Sequence, residues 1–276
     1  MNTPDSSIKG IRQAFPERVT GAALTLLLSL ILNSCVTTTT GGFNPEVSED
    51  EALQDYIRLA VAYYEANDMA GARRHIANAM EINDRSSEVY NILALVHQRE
   101  GDLDLADEAF NRAIRLDRNN SRARNNYAAF LFGQQRYQDA YQQLELVSND
   151  TTYEGRPIAF ENLGRSALRM GNTDAAERAF ERALQLNGNL YISALELAQI
   201  RFDKGAYQSA RSLYNQYLTT KDFYNIPHTP RSLWIGIQIE SHFQNQAAAD
   251  TYARLLTALY QDSAEYQLYQ TFVNGN

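Results

Sequence analysis

The side chains best suited to chemistry in this sequence are one cysteine and four histidines. With a single cysteine, Cys35, the chain cannot form an intramolecular disulfide or a cysteine metal cluster. Such a residue can be a small buried side chain, a nucleophile or a site of modification, and its position must decide among these. The histidines are scattered, and no two have metal-ligand spacing on one helix face. They are His75, His97, His228 and His242.

The segment before Cys35 has the pattern of an export signal. It begins with Lys9, Arg12 and Arg18 and continues with an apolar run at residues 21–32. This run of about twelve residues is shorter than the roughly 20 that a membrane-spanning helix requires. A charged start, a short apolar run and an exit with small residues are typical of a secretory signal peptide.

The exit from this run, LNSC at residues 32–35, resembles the lipobox of bacterial lipoproteins. The resemblance implies that residues 1–34 form a lipoprotein signal peptide and that Cys35 becomes the acylated first residue of the mature chain. Val36, rather than an aspartate, follows the cysteine, which implies sorting to the outer membrane. A cleaved signal with an incidental cysteine is the alternative. Residues 35–51 are rich in threonine and glycine in their first half, and we predict that they form a flexible tether.

The charge balance excludes two classes of partner. The formal net charge is -8, and removal of the leader, with its three basic and two acidic residues, leaves 22 basic and 31 acidic residues. A nucleic-acid binder needs a basic face, and a polybasic membrane patch needs clustered lysine and arginine. We therefore expect no nucleic-acid partner. The contents of 44% hydrophobic and 21% charged residues are typical of a globular protein.

A period of about 34 residues runs through the rest of the chain. Small residues recur at Ala60, Ala94, Ala128, Gly164, Ala198 and Gly236. A second small residue follows each by twelve positions: Ala72, Ala106, Ala140, Ala176, Ala210 and Ala248. Four residues later comes a large apolar side chain: Ile76, Phe110, Leu144, Phe180, Tyr214 and Tyr252. Helices that cross closely need small residues at the crossing and a large side chain beside it. The pattern predicts a series of paired antiparallel helices.

This pattern resembles the tetratricopeptide repeat (TPR). The resemblance implies an all-α fold, a right-handed TPR superhelix of about six helix-turn-helix repeats with a C-terminal capping helix, within a domain at residues 52–276. The repeats are predicted near residues 53–86, 87–120, 121–154, 157–190, 191–224 and 229–262, and the cap at 263–273. One helix pair cannot bury its apolar face alone, so neighbouring pairs must stack into a curved array with a concave and a convex face.

The first helix of each pair lines the concave surface in TPR folds. We predict that Leu59, Ala60 and Tyr63 build the core of repeat one, which leaves an apolar stripe facing the groove. Such a stripe suits an amphipathic partner helix or an extended apolar peptide. The predicted partner-binding residues are Ile57, Val61, Tyr64, Asn91, Leu95 and Asn125. Coverage of the stripe by the tether or by a neighbouring helix is the alternative.

The sequence carries no catalytic motif that we recognise. It has no phosphate-binding glycine loop and no Gly-x-Ser-x-Gly elbow. His97 occupies a slot where TPR helices usually carry an aromatic residue, and we interpret it as structural. The many acidic residues on helices are typical of solvated faces and helix ends. We therefore predict a scaffold that is not an enzyme and that uses no cofactor, no metal and no small-molecule substrate.

Three segments point to a narrower family: NNYAAFLFGQQRYQDAYQQL at residues 125–144, FENLG at 160–164 and RSLWIGI at 231–237. With the lipobox and six repeats they resemble the type IV pilus biogenesis lipoproteins of the PilF/PilW kind, which are secretin pilotins. The resemblance implies a lipid-anchored protein of the outer membrane, facing the periplasm, that binds the secretin and promotes its localisation and oligomerisation. A periplasmic TPR lipoprotein adaptor for cell-wall or other envelope machinery is the alternative. The chain departs from this family in the unusually long region that precedes the apolar signal core.

Overall fold

The computed structural model describes residues 48–275. Cys35, the predicted signal peptide and most of the predicted tether lie outside these residues. The described part contains thirteen α-helices and no strand. In chain order, α1 to α13 are Glu49–Glu65, Met69–Ile82, Ser87–Glu100, Leu103–Leu116, Ser121–Gly133, Tyr137–Ser148, Arg156–Arg169, Thr173–Leu186, Tyr191–Asp203, Tyr207–Phe223, Pro230–His242, Gln246–Leu259 and Ala264–Asn274. A search of these helices for one long and apolar enough to cross a bilayer found no candidate.

The helices form six antiparallel pairs, α1 with α2 through α11 with α12, and α13 follows as a single helix. Each odd-numbered helix also contacts the next odd-numbered helix. Within the described residues, successive even-numbered helices make no such contact. The odd-numbered helices therefore lie on the inner side of the curve and line its concave surface. The predicted TPR superhelix of six repeats and a cap is confirmed.

The turn inside each pair is built in the same way six times. One residue in each turn has a left-handed backbone, with φ between 56° and 89°. These residues are Asn67, Gly101, Gln135, Gly171, Gly205 and Gln244. A left-handed residue ends one helix and lets the next begin within two or three residues. A repeated turn of this kind gives each pair the same antiparallel crossing.

The predicted small residues lie where paired helices cross. At Gly164, an added Cβ would come within 2.7 Å of the Phe180 ring, so a larger residue would force the ring to move. Ala60, Ala94 and Ala128 are completely buried. The close crossing explains why these positions hold only alanine or glycine.

Repeat six departs from the predicted register by one residue. Ala249, which is 3% exposed, packs in the core in place of the predicted Ala248. The left-handed residue Gln244 follows Gly236 by eight positions, whereas the interval is seven in the other five repeats. One extra residue between Gly236 and the left-handed turn therefore changes which alanine of α12 packs in the core.

The predicted core of repeat one was wrong in part. Leu59 is 41% exposed, whereas Ile57 is 8% exposed and packs in the core with Leu53, Ala60 and Ile76. No repeat precedes the first one in the described chain, so no even-numbered helix covers the face of α1 that carries Leu59. Ile57 faces α2 and α3 and is enclosed by both.

The start of the domain also lies earlier than predicted. The Ser48 hydroxyl accepts a hydrogen bond from the Glu51 backbone N–H, and the Glu51 carboxylate accepts one from the Ser48 N–H. This reciprocal capping box starts α1 at Glu49. Residues 49–51, predicted as the end of the tether, therefore belong to the first helix.

Candidate partner-binding groove

A concave groove lies between α1, α3 and α5, with a volume of about 600 Å³. Its floor is apolar and its rim is polar. The floor consists of Ile57, Val61, Ala62, Tyr64, Ile92 and Leu95. The rim consists of Gln54, Arg58, Glu65, Glu88, Asn91, Asn120, Arg122 and Asn126. We call these fourteen residues the N-terminal groove.

Five of the six predicted partner-binding residues line this groove, and Asn125 does not. Asn125 lies one repeat further along, where its Oδ1 is 3.4 Å from Asn162 Nδ2. Ile57 contributes an edge of its side chain while remaining part of the core, so it cannot be changed without affecting both. Val61, Tyr64 and Leu95 are partly exposed and present apolar surface to the groove.

Chemically matched residues meet across successive repeats on this surface. Ile57 of α1 lies beside Ile92 of α3 on the groove floor. Asn126 Nδ2 donates to Asn91 Oδ1 at 3.1 Å, which joins α5 to α3. The members of these pairs are 35 residues apart, one more than the repeat period, because the contact joins two neighbouring positions of the repeat. In the groove lining, identical residue types of neighbouring repeats thus lie against each other.

Arg99, which lies outside the N-terminal groove as defined, fixes the orientation of Tyr64. The Arg99 guanidinium lies over the Tyr64 ring, 4.1 Å from its centroid, and its Nη1 donates to Asn67 Oδ1 at 3.3 Å. A guanidinium held over an aromatic face is favourable by about 0.5–1 kcal/mol at an exposed site. Tyr64 is therefore held in place at one end of the apolar floor before any partner binds.

The six predicted residues leave out nine of the fourteen groove residues, among them Ile92, Asn120 and Asn126. A signal was present for two of them. Residues 57 and 92 are both isoleucine, and 91 and 126 are both asparagine, at the same interval of 35.

The groove holds no arrangement typical of catalysis. The nearest candidate for a metal site in the described residues is His97, Glu100 and Asp102, whose ligand atoms lie within 4.8 Å of one another. However, Arg73 donates to both Glu100 oxygens, and this hydrogen-bonded pair lowers the pKa of the Glu100 carboxyl. Because Arg73 occupies the carboxylate that a cation would need, the cluster is better described as an ion pair beside a nearly buried histidine.

Comparison with known proteins identifies the family of this chain. A tetratricopeptide repeat family model matches residues 87–120, which hold α3 and α4, and another matches residues 162–225. The type IV pilus assembly protein PilF of Pseudomonas aeruginosa is 36% identical over 252 residues, covering 90% of this chain and 97% of that protein. This chain belongs to the PilF family. As a PilF relative, it is a TPR protein of type IV pilus biogenesis.

Solved structures agree with this assignment. The structure of Pseudomonas aeruginosa PilF has a TM-score of 0.75 at 36% identity, covering 81% of this chain and 98% of that one. The crystal structure of PilW, a type IV pilus biogenesis factor, has a TM-score of 0.65 at 23% identity, covering 80% of this chain and 99% of its own. PilW at this identity supports the fold alone, whereas PilF supports both fold and family.

Proposed function

We propose that this PilF-family chain is a secretin pilotin. In this proposal it is an outer-membrane lipoprotein, anchored through Cys35, whose TPR domain faces the periplasm. It binds the secretin of the type IV pilus and promotes its localisation and oligomerisation in the outer membrane, without catalysing a reaction. The observation that carries the proposal is the open apolar floor of the N-terminal groove in a relative of a pilus assembly protein.

The groove favours an apolar protein segment over a charged one. Val61, Tyr64 and Leu95 expose apolar surface on the floor, while the charged and amide groups lie at the rim. Burial of apolar area contributes about 25 cal/mol per Å². A subunit segment destined for a membrane pore is apolar and would aggregate in water. Binding in the groove would cover that segment until subunits assemble.

The test is capture of the secretin by the mature chain in detergent. Changing Val61→Asp and Leu95→Asp places two carboxylates on the floor at partly exposed positions. Each change removes an apolar contact of about 1.5–3 kcal/mol, so each should weaken capture about tenfold or more. Ile57 is left unchanged because it is buried in the core.

The matched control carries the same charge change elsewhere. Leu103 and Leu105 are 41% and 48% exposed at the start of α4, away from the groove. The variant with Leu103→Asp and Leu105→Asp should bind the secretin as the unchanged chain does. Equal capture by the groove variant and the control, with helicity intact in both, would show that the groove does not hold the secretin.

A cellular experiment separates this proposal from the alternative role as an adaptor for other envelope machinery. Cells that carry the groove variant should lose secretin multimers and surface pili. If multimers and pili persist while another envelope complex is impaired, the adaptor role is favoured.

A further inference from the structure

All odd-numbered helices begin at one edge of the superhelix, which we call the junction edge. It consists of the connections between pairs and the first turns that follow them: residues 83–88, 117–122, 149–158, 187–192, 224–231 and 260–265. Hydrogen bonds join neighbouring junctions. Asn120 Nδ2 donates to Ser87 Oγ at 2.9 Å, and Ser121 Oγ donates to Asp150 at 2.6 Å.

The first helix also begins at the junction edge. Arg99, at the end of α3, reaches Tyr64 and Asn67 at the end of α1, so these two helices run parallel. Their starts therefore share the opposite end, and the chain enters the domain at Ser48 on the junction edge. Twelve residues separate Cys35 from Ser48, and such a segment spans at most about 40 Å.

The same edge carries the most exposed large apolar side chain of the described residues. Phe223 is 76% exposed and Tyr224 is 51% exposed, and their rings lie edge to face at 4.9 Å. Helix α10, which ends at Phe223, has 17 residues, whereas the preceding even-numbered helix α8 has 14. The added turn carries both rings to the connection before α11. With Ile226 they form what we call the aromatic corner.

A cleft beside this corner extends the apolar surface. It has a volume of about 490 Å³, and Tyr224, Ile226, Ile158 and Ile192 all line it. Exposed apolar patches on a soluble domain mark sites of contact with a protein or a membrane. Aromatic side chains are enriched where a protein meets the interface of a bilayer. The charge on Lys221 next to the corner is paired with Asp222 at 2.5 Å, so it offers little attraction for anionic lipid.

We propose that the junction edge faces the bilayer and that the aromatic corner inserts into the lipid interface when the chain is anchored. This inference rests on the proposed lipid anchor at Cys35. The entry point at Ser48 and the exposed rings are on one edge, and the short segment between anchor and domain keeps that edge near the membrane. Because the edge carries residues of both charges, such as Arg85 beside Asp84 and Arg118 beside Asp117, the lipid surface it fits is zwitterionic, and the contact is apolar.

Fluorescence quenching tests the orientation. The mature lipidated chain is reconstituted in phosphatidylcholine vesicles with brominated acyl chains, in a Trp234→Phe background that removes the single native tryptophan. One probe is Tyr224→Trp at the corner. The matched probe is Leu105→Trp, a position 48% exposed that follows the α3–α4 turn on the opposite edge. We expect quenching at 224 to be at least twofold stronger than at 105.

A double variant at the aromatic corner and the recovery of protein with the vesicles complete the test. Adding Phe223→Ser and Ile226→Ser should lower quenching at 224 to the level seen at 105. Equal quenching of the two probes, in protein recovered with the vesicles, would overturn the membrane-facing edge and leave the pilotin proposal untouched, because secretin capture is measured in detergent. Protein that is not recovered with vesicles would overturn the anchor and this inference with it.

Discussion

Replacing Gly236 with alanine should destabilise the last repeat, because Gly236 lies in the closest crossing of repeat six. An added Cβ at this position would lie 2.8 Å from Tyr214 Cζ and 2.8 Å from Tyr252 Cδ2, and closer still to the Tyr214 hydroxyl. Tyr214 is completely buried, and its hydroxyl donates to the Ser232 carbonyl at 2.9 Å. The ring has no free space beside it, so the methyl group must displace the ring, the helix or both.

Three terms set the size of the effect. Overpacking of a dense core costs about 1–3 kcal/mol. Breaking the Tyr214 hydrogen bond leaves a buried hydroxyl without a partner, at a cost of about 1–3 kcal/mol. Alanine in a helix gains about 1 kcal/mol over glycine. With partial relaxation we expect a net loss of about 2–3 kcal/mol, or roughly 4–12 °C in Tm for a domain of this size.

Trp234, the single tryptophan, is two residues from the substitution, and its ring centroid lies 5.9 Å from that of Phe272 in α13. Its fluorescence during urea unfolding therefore reports on repeat six, and circular dichroism reports on the whole domain. The control is Gly133→Ala, because no atom lies within 4 Å of an added Cβ there. That change should stabilise by up to about 1 kcal/mol.

A second variant tests the assigned cause. Combining Gly236→Ala with Tyr214→Phe removes the atom nearest the new methyl group, so the double variant should lose less than the sum of the single losses. The reasoning is refuted if Gly236→Ala leaves the Trp234 transition unchanged, or if the two changes are additive within about 0.5 kcal/mol.

Three other predictions concern buried polar groups. Burial raises the pKa of Glu161, although its carboxylate accepts hydrogen bonds from the Ser193 N–H and hydroxyl. The folded state therefore disfavours the ionised form of Glu161, and its stability falls as the pH rises. Denaturation measured from pH 4 to 7 should show the Glu161→Gln variant gaining stability relative to the parent as the pH rises. Burial, aided by the charge of Lys221, lowers the pKa of His228 to about 4. Below pH 6.5 the unfolded chain binds a proton at His228 that the folded state does not bind, so the free energy of unfolding should fall as the pH drops from 6.5 towards 4. The variant His228→Gln should not show that loss. Cutting the Asn91–Asn126 bond by alanine at either position should cost about 0.5–1.5 kcal/mol, and a double-mutant cycle should show coupling between them.

The fold could be predicted from the sequence because close helix crossings permit so few residue types. Two small residues at the crossing, and a bulky one a turn after the second, recur at every repeat, as at Gly164, Ala176 and Phe180. The error in repeat six arose because Ala247, Ala248 and Ala249 are consecutive. Composition could not decide which alanine packs at the crossing, whereas the position of the left-handed Gln244 does.

The partner-binding site could be predicted less well. A side chain that faces the concave side of the array can still be buried by a neighbouring helix and so be inaccessible to a partner. Ile57 and Leu59 are both apolar residues of α1, and periodicity alone could not show which one a neighbouring helix encloses. That depends on α3 lying over one face of α1, while no helix among residues 48–275 covers the other. The contribution of Asn126 depends on a hydrogen bond between repeats, which a single-repeat template does not contain.

The residue types that pair between successive repeats differ along the concave surface, so its two ends are chemically different. Ile57 and Ile92 meet in the first two repeats, and asparagines bond from the second repeat to the fourth. At the next step the carboxylates of Glu161 and Glu196 lie close enough for their repulsion to affect the pKa of Glu161.

These pairs therefore favour an apolar segment at the end of the domain where Ser48 enters. On the proposed function, the secretin segment is held in the repeats nearest the anchor, within the reach of a twelve-residue connection to the bilayer. A scaffold with the same apolar pairs in its last repeats would bind the same segment but hold it farther from Ser48, where the chain leads to the anchor. The position of the groove along the superhelix is thus as much a part of the proposed mechanism as its apolar lining.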